Sequence, residues 1–241
     1  MLAKKPYFGT VALAGQTWQE RKSHMRRLVQ NEIKAKDKKV FQLLEIGSWA
    51  GNSAVLWAEA IKSNDARGVI FCVDPWKPYF RVNEDINVAA LLMNQALRKD
   101  KIFKLFMHNV NCSGHGDIVH PIRGASDLVL PFLRDNDFDV IYVDGDHSYS
   151  GIKFDVTNAA RLLRVGGILC GDDYDMDLKA VDLNYAQAHK EQNIIRDPQT
   201  GQDYHPGVCL AVDEFFKQKI SSYDGFWAMR KAVFGWETVT I

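Results

Sequence analysis

The chain has 241 residues, 46% of them hydrophobic and 25% charged, with Lys plus Arg equal to Asp plus Glu at 30 each. That length suits one domain with a real core, and the balanced charge gives no global pull toward nucleic acid. No stretch approaches the roughly 18 apolar residues that span a bilayer, so no membrane partner is expected. Residues 1–14 lack the apolar run of a secretion signal. Cys72, Cys112, Cys170 and Cys209 form no C-x-x-C pair, and Cys72 and Cys170 lie in apolar runs as small hydrophobes would. A reducing, cytoplasmic setting is expected.

Short apolar runs alternate with amphipathic stretches, which predicts a mostly parallel sheet covered by helices on both faces. Residues 18–36 predict a helix with Met25, Leu28, Val29 and Ile33 on one face. The basic run from Lys34 to Lys39 reads as its solvated end. The whole N-terminal segment, 1–39, is expected to serve a substrate contact or a homodimer contact. Residues 40–46 predict a buried strand, 50–63 a helix, and 68–73 a second strand ending at Asp74. The loop 75–83 carries two prolines and three aromatics. A third helix is expected over 84–99, a short strand over 120–123 and a helical stretch over 125–134 apart from Pro131. Residues 138–143 predict a strand, 149–163 a helix ended by Gly166-Gly167, and 168–171 another strand. Residues 172–206 are polar and rich in turn signals, at Asp197-Pro198, Thr200-Gly201 and His205-Pro206-Gly207. A lid is expected over about 175–206, since so long a loop is usually functional. A helix over 208–217 and an antiparallel pair, 226–232 with 237–241, complete the chain. The expected fold is α/β, Rossmann-like and doubly wound: a seven-stranded, mostly parallel sheet with one reversed edge strand.

The first strand runs straight into Glu45-Ile46-Gly47-Ser48-Trp49-Ala50-Gly51-Asn52-Ser53, followed at once by a helix. Such a strand–turn–helix is where an α/β sheet binds a nucleotide-like ligand. A dinucleotide fingerprint needs glycine where Trp49 and Asn52 stand, and a P-loop needs a wider glycine spacing and a lysine in place of Asn52. A ligand without phosphates therefore fits better, and a nicotinamide dehydrogenase is disfavoured. Asp74 ends the next strand, 23 residues after Gly51. An acid there can accept hydrogen bonds from two ribose hydroxyls; its plainer use is as a cap or loop anion.

These residues resemble the motifs of the class I S-adenosylmethionine-dependent methyltransferases, from Glu45-x-Gly47-x-x-x-Gly51 to the acid at Asp74. The resemblance spans about residues 40–216. It implies that Gly47, Ser48 and Gly51 wrap the methionine part of S-adenosylmethionine. It also implies that Glu45 supports the turn from beneath and reaches the ligand's amino group through water. Ser126, in Arg123-Gly124-Ala125-Ser126, stands where the family often contacts adenine. Asp144 is counted among the cofactor-contacting positions as well.

Two more strand ends concentrate acid: Tyr142-Val143-Asp144-Gly145-Asp146-His147 and Cys170-Gly171-Asp172-Asp173-Tyr174. In a parallel sheet both emerge at the edge that carries the glycine turn. Carboxylates converging there repel, so some stay protonated or a cation neutralises them. Hard divalent ions take oxygen ligands, which predicts a Mg²⁺ site of Asp144, Asp172 and Asp173; capping of the following helices is the rival use. His147, with an unperturbed pKa of roughly 6.5, suits a general base, and a loop histidine bonded to backbone is the rival. This second set resembles the metal-dependent O-methyltransferases that modify sugars of macrolide and aminocoumarin antibiotics. The resemblance implies Mg²⁺ on Asp144, Asp172 and Asp173, His147 or Asp146 as base, and a small-molecule hydroxyl, such as a sugar's, as acceptor. Acceptor choice is expected to come from the N-terminal segment, from Trp76, Tyr79 and Phe80 (packing being the rival role), and from the polar loop, with Tyr174, Tyr204 and His205 closing over the site. A catalytically silent S-adenosylmethionine-binding module and a metal-free methyltransferase acting on nitrogen are the competing readings.

Overall fold

The computed structural model describes residues 4–9, 19–36, 40–78 and 88–241. Along them run α1 (Gln19–Lys36), β1 (Phe41–Ile46), α2 (Asn52–Lys62), β2 (Gly68–Asp74), α3 (Val88–Leu97), α4 (Lys101–Cys112), β3 (Val119–Arg123), α5 (Ser126–Val129), β4 (Phe138–Val143), α6 (Tyr149–Leu162) and β5 (Leu163–Gly171). There follow α7 (Leu183–Ala188), β6 (Ile195–Arg196), β7 (Asp203–Tyr204), α8 (Pro206–Phe216), β8 (Ser221–Tyr223), β9 (Phe226–Lys231) and β10 (Trp236–Thr238). Tyr79, Phe80, Trp18 and the residues expected to open the third helix lie outside the described residues.

The main sheet has eight strands in the order β10-β9-β5-β4-β1-β2-β3, with β8 also paired to β9. β1, β2, β3, β4 and β5 pair in parallel, and β9 runs antiparallel to β5. The expected mostly parallel sheet is therefore present, with β9 reversed one place in from the edge and flanked by β8 and β10.

Alternation of side chains along each strand divides the core in two. Leu43, Ile70, Cys72, Val140, Tyr142, Ile168 and Cys170 join one apolar cluster with α1, α2 and α4. Leu44, Ile46, Val73, Ile141, Val143 and Leu169 join the other with α6 and α8. Burial on both faces explains the near-continuous apolar runs of the central strands. All four cysteines are free, and Cys72 and Cys170 are buried, as their apolar settings imply. Among the described residues no helix is long and apolar enough to cross a membrane.

Two stretches differ from expectation. The third helix breaks where Lys99 and Asp100 adopt left-handed backbone, and a separate helix, α4, follows. Its Ile102, Phe106 and Val110 recur at helical spacing and are buried. The segment after β5 is folded: α7 and the β6–β7 hairpin enclose their own apolar cluster of Val181, Ala186, Ile195 and Tyr204, packed on Cys209 and Leu210 of α8. The turn signals at 197–201 mark that hairpin's turn. Buried Asp197 holds it, accepting from Asp182 N at 2.9 Å and from Thr200 N and Oγ1 at 2.6 and 2.8 Å.

Candidate active site

The strand order reverses between β1 and β4, because the chain builds β2 and β3 on one side of β1 before crossing to the other. Ile46 pairs with Val143, so Gly47 leaves β1 beside Asp144 leaving β4. Asp144 N donates to Ile46 O at 2.8 Å and Gly47 N to Val73 O at 2.9 Å. Gly47 has φ +85°, and a Cβ there would collide with the Asp144 carbonyl. Contact between two strand ends thus demands glycine at this position. Gly51, at φ +83°, caps α2, and a Cβ on it would come within 2.9 Å of the Phe106 ring. Fully buried Asn109 ties α4 to the turn, its Nδ2 donating to Ala50 O at 2.9 Å.

Asp74 clasps the same turn. Its Oδ2 accepts from the amides of Ser48 and Trp49 at 3.0 Å each, and its Oδ1 from Trp76 N at 2.6 Å. A carboxylate offers about four acceptor positions, so the main chain fills all but one. Burial nevertheless pushes the Asp74 carboxyl up, against the pull of the three amides. Trp76 is packed between Phe103 and Phe106 and donates Nε1 to Trp49 O at 2.7 Å, so it serves packing. Glu45 lies beneath the turn, fully buried and set back from the cavity wall, and neither of its oxygens has a hydrogen-bond partner. Burial pushes it up to about 8. It therefore holds its proton at neutral pH and makes no direct contact across the wall.

A cavity of about 800 Å³ opens over these strand ends, lined by Gly47, Ser48, Asp74, Ser126, Asp144, Asp146, His147, Asp172 and Asp173 among others. The expected site residues, Glu45 and Gly51 apart, thus meet on one wall. Asp146 Oδ1 accepts from Ser148 N at 3.0 Å. The acids carry partners the sequence did not announce. Arg21, from α1, sends its guanidinium to Asp172 Oδ1 at 2.5 Å and Asp173 Oδ1 at 3.0 Å, and also to Asp175 and the Asp224 carbonyl. Tyr142, buried two residues before Asp144 on the same strand face, aims its hydroxyl at Asp144 Oδ2, 3.2 Å, and at Asp172 Oδ2, 3.5 Å. Burial and the neighbouring carboxylates push Asp172 well up, and burial likewise raises Asp144. Burial also opposes charge on Asp173, but His147, His205 and Arg21 outweigh it and hold that carboxyl down.

His147 faces this cluster. Its Nε2 lies 3.3 Å from Asp173 Oδ2 and 3.7 Å from Asp144 Oδ1, and its Nδ1 2.7 Å from Asn193 Oδ1. Burial alone would pull the imidazole down, but Asp144 and Asp173 push it up to about 10. Held between those two carboxylates, the ring is favoured in its protonated form. Of the three residues expected to close over the site, only His205 reaches the cavity, its ring 4.6 Å from that of His147. Tyr204 is buried in the cluster under the hairpin, and Tyr174 donates to Asp213 at 3.2 Å. Among the described residues His147, Asp173 and His205 bring three possible ligand atoms within 4.8 Å of one another.

A family of sequences described as a methyltransferase domain matches residues 44–174, which is more than half of the chain. The match opens in β1 and closes just past the Asp172-Asp173 pair. No curated protein matches the sequence. Among solved structures, the O-methyltransferase NovP is 19% identical with a TM-score of 0.62, covering 88% of this chain and 80% of its own. The O-methyltransferase TomG of Streptomyces achromogenes, involved in tomaymycin synthesis and solved with S-adenosylmethionine, is 16% identical with a TM-score of 0.57, over 90% of this chain and 82% of its own. An O-methyltransferase from Bacillus cereus, in complex with S-adenosylhomocysteine, is 15% identical with a TM-score of 0.52, over 90% and 84%. At these identities the likeness is one of fold, and the fold is the Rossmann-like one of class I methyltransferases. The family match carries the rest: this chain belongs to the methyltransferase-domain family.

Proposed function

We propose that the protein transfers a methyl group from S-adenosylmethionine to a hydroxyl of a small molecule, with a sugar hydroxyl as the leading acceptor. The observation that carries this reading is one cavity shared by the glycine turn of β1, the acid end of β2 and the acid ends of β4 and β5. A methyl donor seated on the turn would point its reactive carbon toward a rim able to bind and polarise an oxygen. Positioning of donor and acceptor supplies most of the rate gain in such an in-line transfer. The solved O-methyltransferases of the same fold support the choice of oxygen as acceptor.

The donor set also suits a divalent cation. Asp144 and Asp172, which burial pushes toward the neutral form, are carboxyls that a bound cation would favour in the charged one. Asp144, Asp172 and Asp173 would hold Mg²⁺, which would supply Lewis acidity to an acceptor hydroxyl. Arg21 shares two of those carboxylates and draws α1 against the rim. His147, beside Asp144 and Asp173, and Asp146 on the same wall are the two groups placed to accept a proton.

Calorimetric titration of the protein with S-adenosylmethionine, with Mg²⁺ and again with EDTA, tests the reading. Binding with a Mg²⁺-dependent heat is expected, followed by turnover in a screen of hydroxylated acceptors. No binding by folded protein in either condition would sink the methyltransferase reading, and binding without turnover on any acceptor would favour a sensing module.

A further inference from the structure

His147, Asp173 and His205 come from three stretches of chain, past the end of β4, past the end of β5 and just before α8, and all three line the cavity. Their spacing is wider than that of a hydrogen-bonded cluster. His147 Nε2 stands 3.3 Å from Asp173 Oδ2, and His205 Nδ1 stands 3.8 Å from the same oxygen and 3.4 Å from Asp175 Oδ2. An N–H···O bond spans about 2.7–3.2 Å. Ligand atoms on one tetrahedral ion, held by bonds of about 2.0–2.1 Å, stand roughly 3.3 Å apart. The gap between these side chains is therefore closer to that left by a small cation than to that closed by a proton.

The neighbours leave those atoms available. Arg21 engages Oδ1 of Asp173 and Oδ1 of Asp175, so the Oδ2 atoms are the ones that meet the imidazoles. Asn193 Oδ1 accepts from His147 Nδ1 at 2.7 Å, which fixes the ring and leaves Nε2 to carry a lone pair. An oxygen on the far nitrogen is the common support of a metal-bound histidine. Two imidazoles beside a carboxylate suit Zn²⁺ or Co²⁺, whereas Mg²⁺ takes oxygen ligands. We propose that His147, Asp173 and His205 bind a zinc-class divalent ion, with Asp175 beside them as a further donor. The site stands on this geometry alone. Where the methyltransferase reading above also holds, such an ion would compete with Mg²⁺ for Asp173 and take His147 out of use as a proton acceptor, so zinc would silence the enzyme.

Co²⁺ reads the site without any cofactor or acceptor. Added to the full chain in the absence of Mg²⁺ and S-adenosylmethionine, it is expected to bind with the strong visible bands of a low-coordinate, nitrogen-ligated ion, and Zn²⁺ should abolish them. Asn193→Ala should weaken Co²⁺ binding by about tenfold or more, as loss of a supporting partner does. His205→Ala removes a ligand, so it should weaken binding further and change the bands. Folded wild type that gives no bands, or only the weak ones of the hydrated ion, overturns the proposal. So does a folded His205→Ala that keeps wild-type affinity and spectrum, because the carboxylates alone would then hold the ion. Failure to bind S-adenosylmethionine, measured apart, sinks the methyltransferase reading and not this site.

Discussion

Glu45 shows how far a single side chain in this site is bent from its solution behaviour. Its folded pKa of about 8 stands above the ordinary value of 4.5, so the folded protein keeps a proton that the unfolded chain gives up between those limits. A group of this kind contributes its full stability below pH 4.5 and loses it as pH rises through 8. Across that window the loss is on the order of 5 kcal/mol. Glu45→Gln carries no titrating proton, so melts at pH 5 and pH 9 should show the variant gaining on wild type by roughly that amount at the higher pH. A wild type and variant that keep the same difference at both values would contradict the buried, protonated Glu45. His147 is displaced in the same direction for a different reason, since two carboxylates hold its proton in place.

At the scale of elements, the segment between β5 and α8 is a folded subdomain whose order depends on few bonds. Asp197 gathers the Asp182 amide, the Thr200 amide and the Thr200 hydroxyl at the hairpin's turn. Asp197→Ala orphans all three donors, and local opening should follow while the main sheet stays intact. Limited proteolysis should then cut within 189–205 several times faster, with little change in the global melt; unchanged cleavage would show that the apolar cluster holds the segment alone. Because Asn193 and His205 reach the cavity from here, acceptor turnover should fall with the same variant. This segment also marks where sequence reasoning thins. Its turn dipeptides were legible, but two-residue strands and a six-residue helix give too short a pattern for periodicity to register. α4 is the opposite case, since Ile102, Phe106 and Val110 spell out its buried face and were there to be read.

Over the whole molecule, the rim of the site was readable because parallel strands end at a common edge. Gly47, Asp74, Asp144, His147, Asp172 and Asp173 each follow an apolar run, and the sheet brings those ends together without further instruction. What brings in a distant helix leaves no such trace. Arg21 reaches the Asp224 carbonyl across 203 positions of chain, and nothing in its local sequence distinguishes it from Arg26 or Arg27. The terminal antiparallel pair was legible, but not the place of β9 between β5 and β10. Arg21 and the Glu32–Arg230 pair, at 2.6 Å, join α1 to the sheet at two polar points. Arg21→Ala leaves Asp172, Asp173 and Asp175 without their guanidinium, and removal of one partner from a buried ion cluster costs about 3–5 kcal/mol. Arg21→Lys should recover only part of this, because an ammonium cannot span three carboxylates as a planar fork does. Denaturant melts decide the matter, and an alanine variant of wild-type stability would show that Met25, Leu28, Val29 and the Glu32–Arg230 pair hold α1 without Arg21.

The clasp of Asp74 on the main chain has a consequence for how any ligand is felt. The carboxylate that offers its last acceptor position to a bound hydroxyl also fixes the amides of Ser48, Trp49 and Trp76. Under the proposed reading, a hydroxyl settling there would order the carboxylate, the carboxylate would stiffen the turn, and the turn would seat the far end of the same molecule. The two ends of one ligand would then cooperate through the protein, so a cofactor stripped of that hydroxyl is expected to forfeit more affinity than one hydrogen bond is worth.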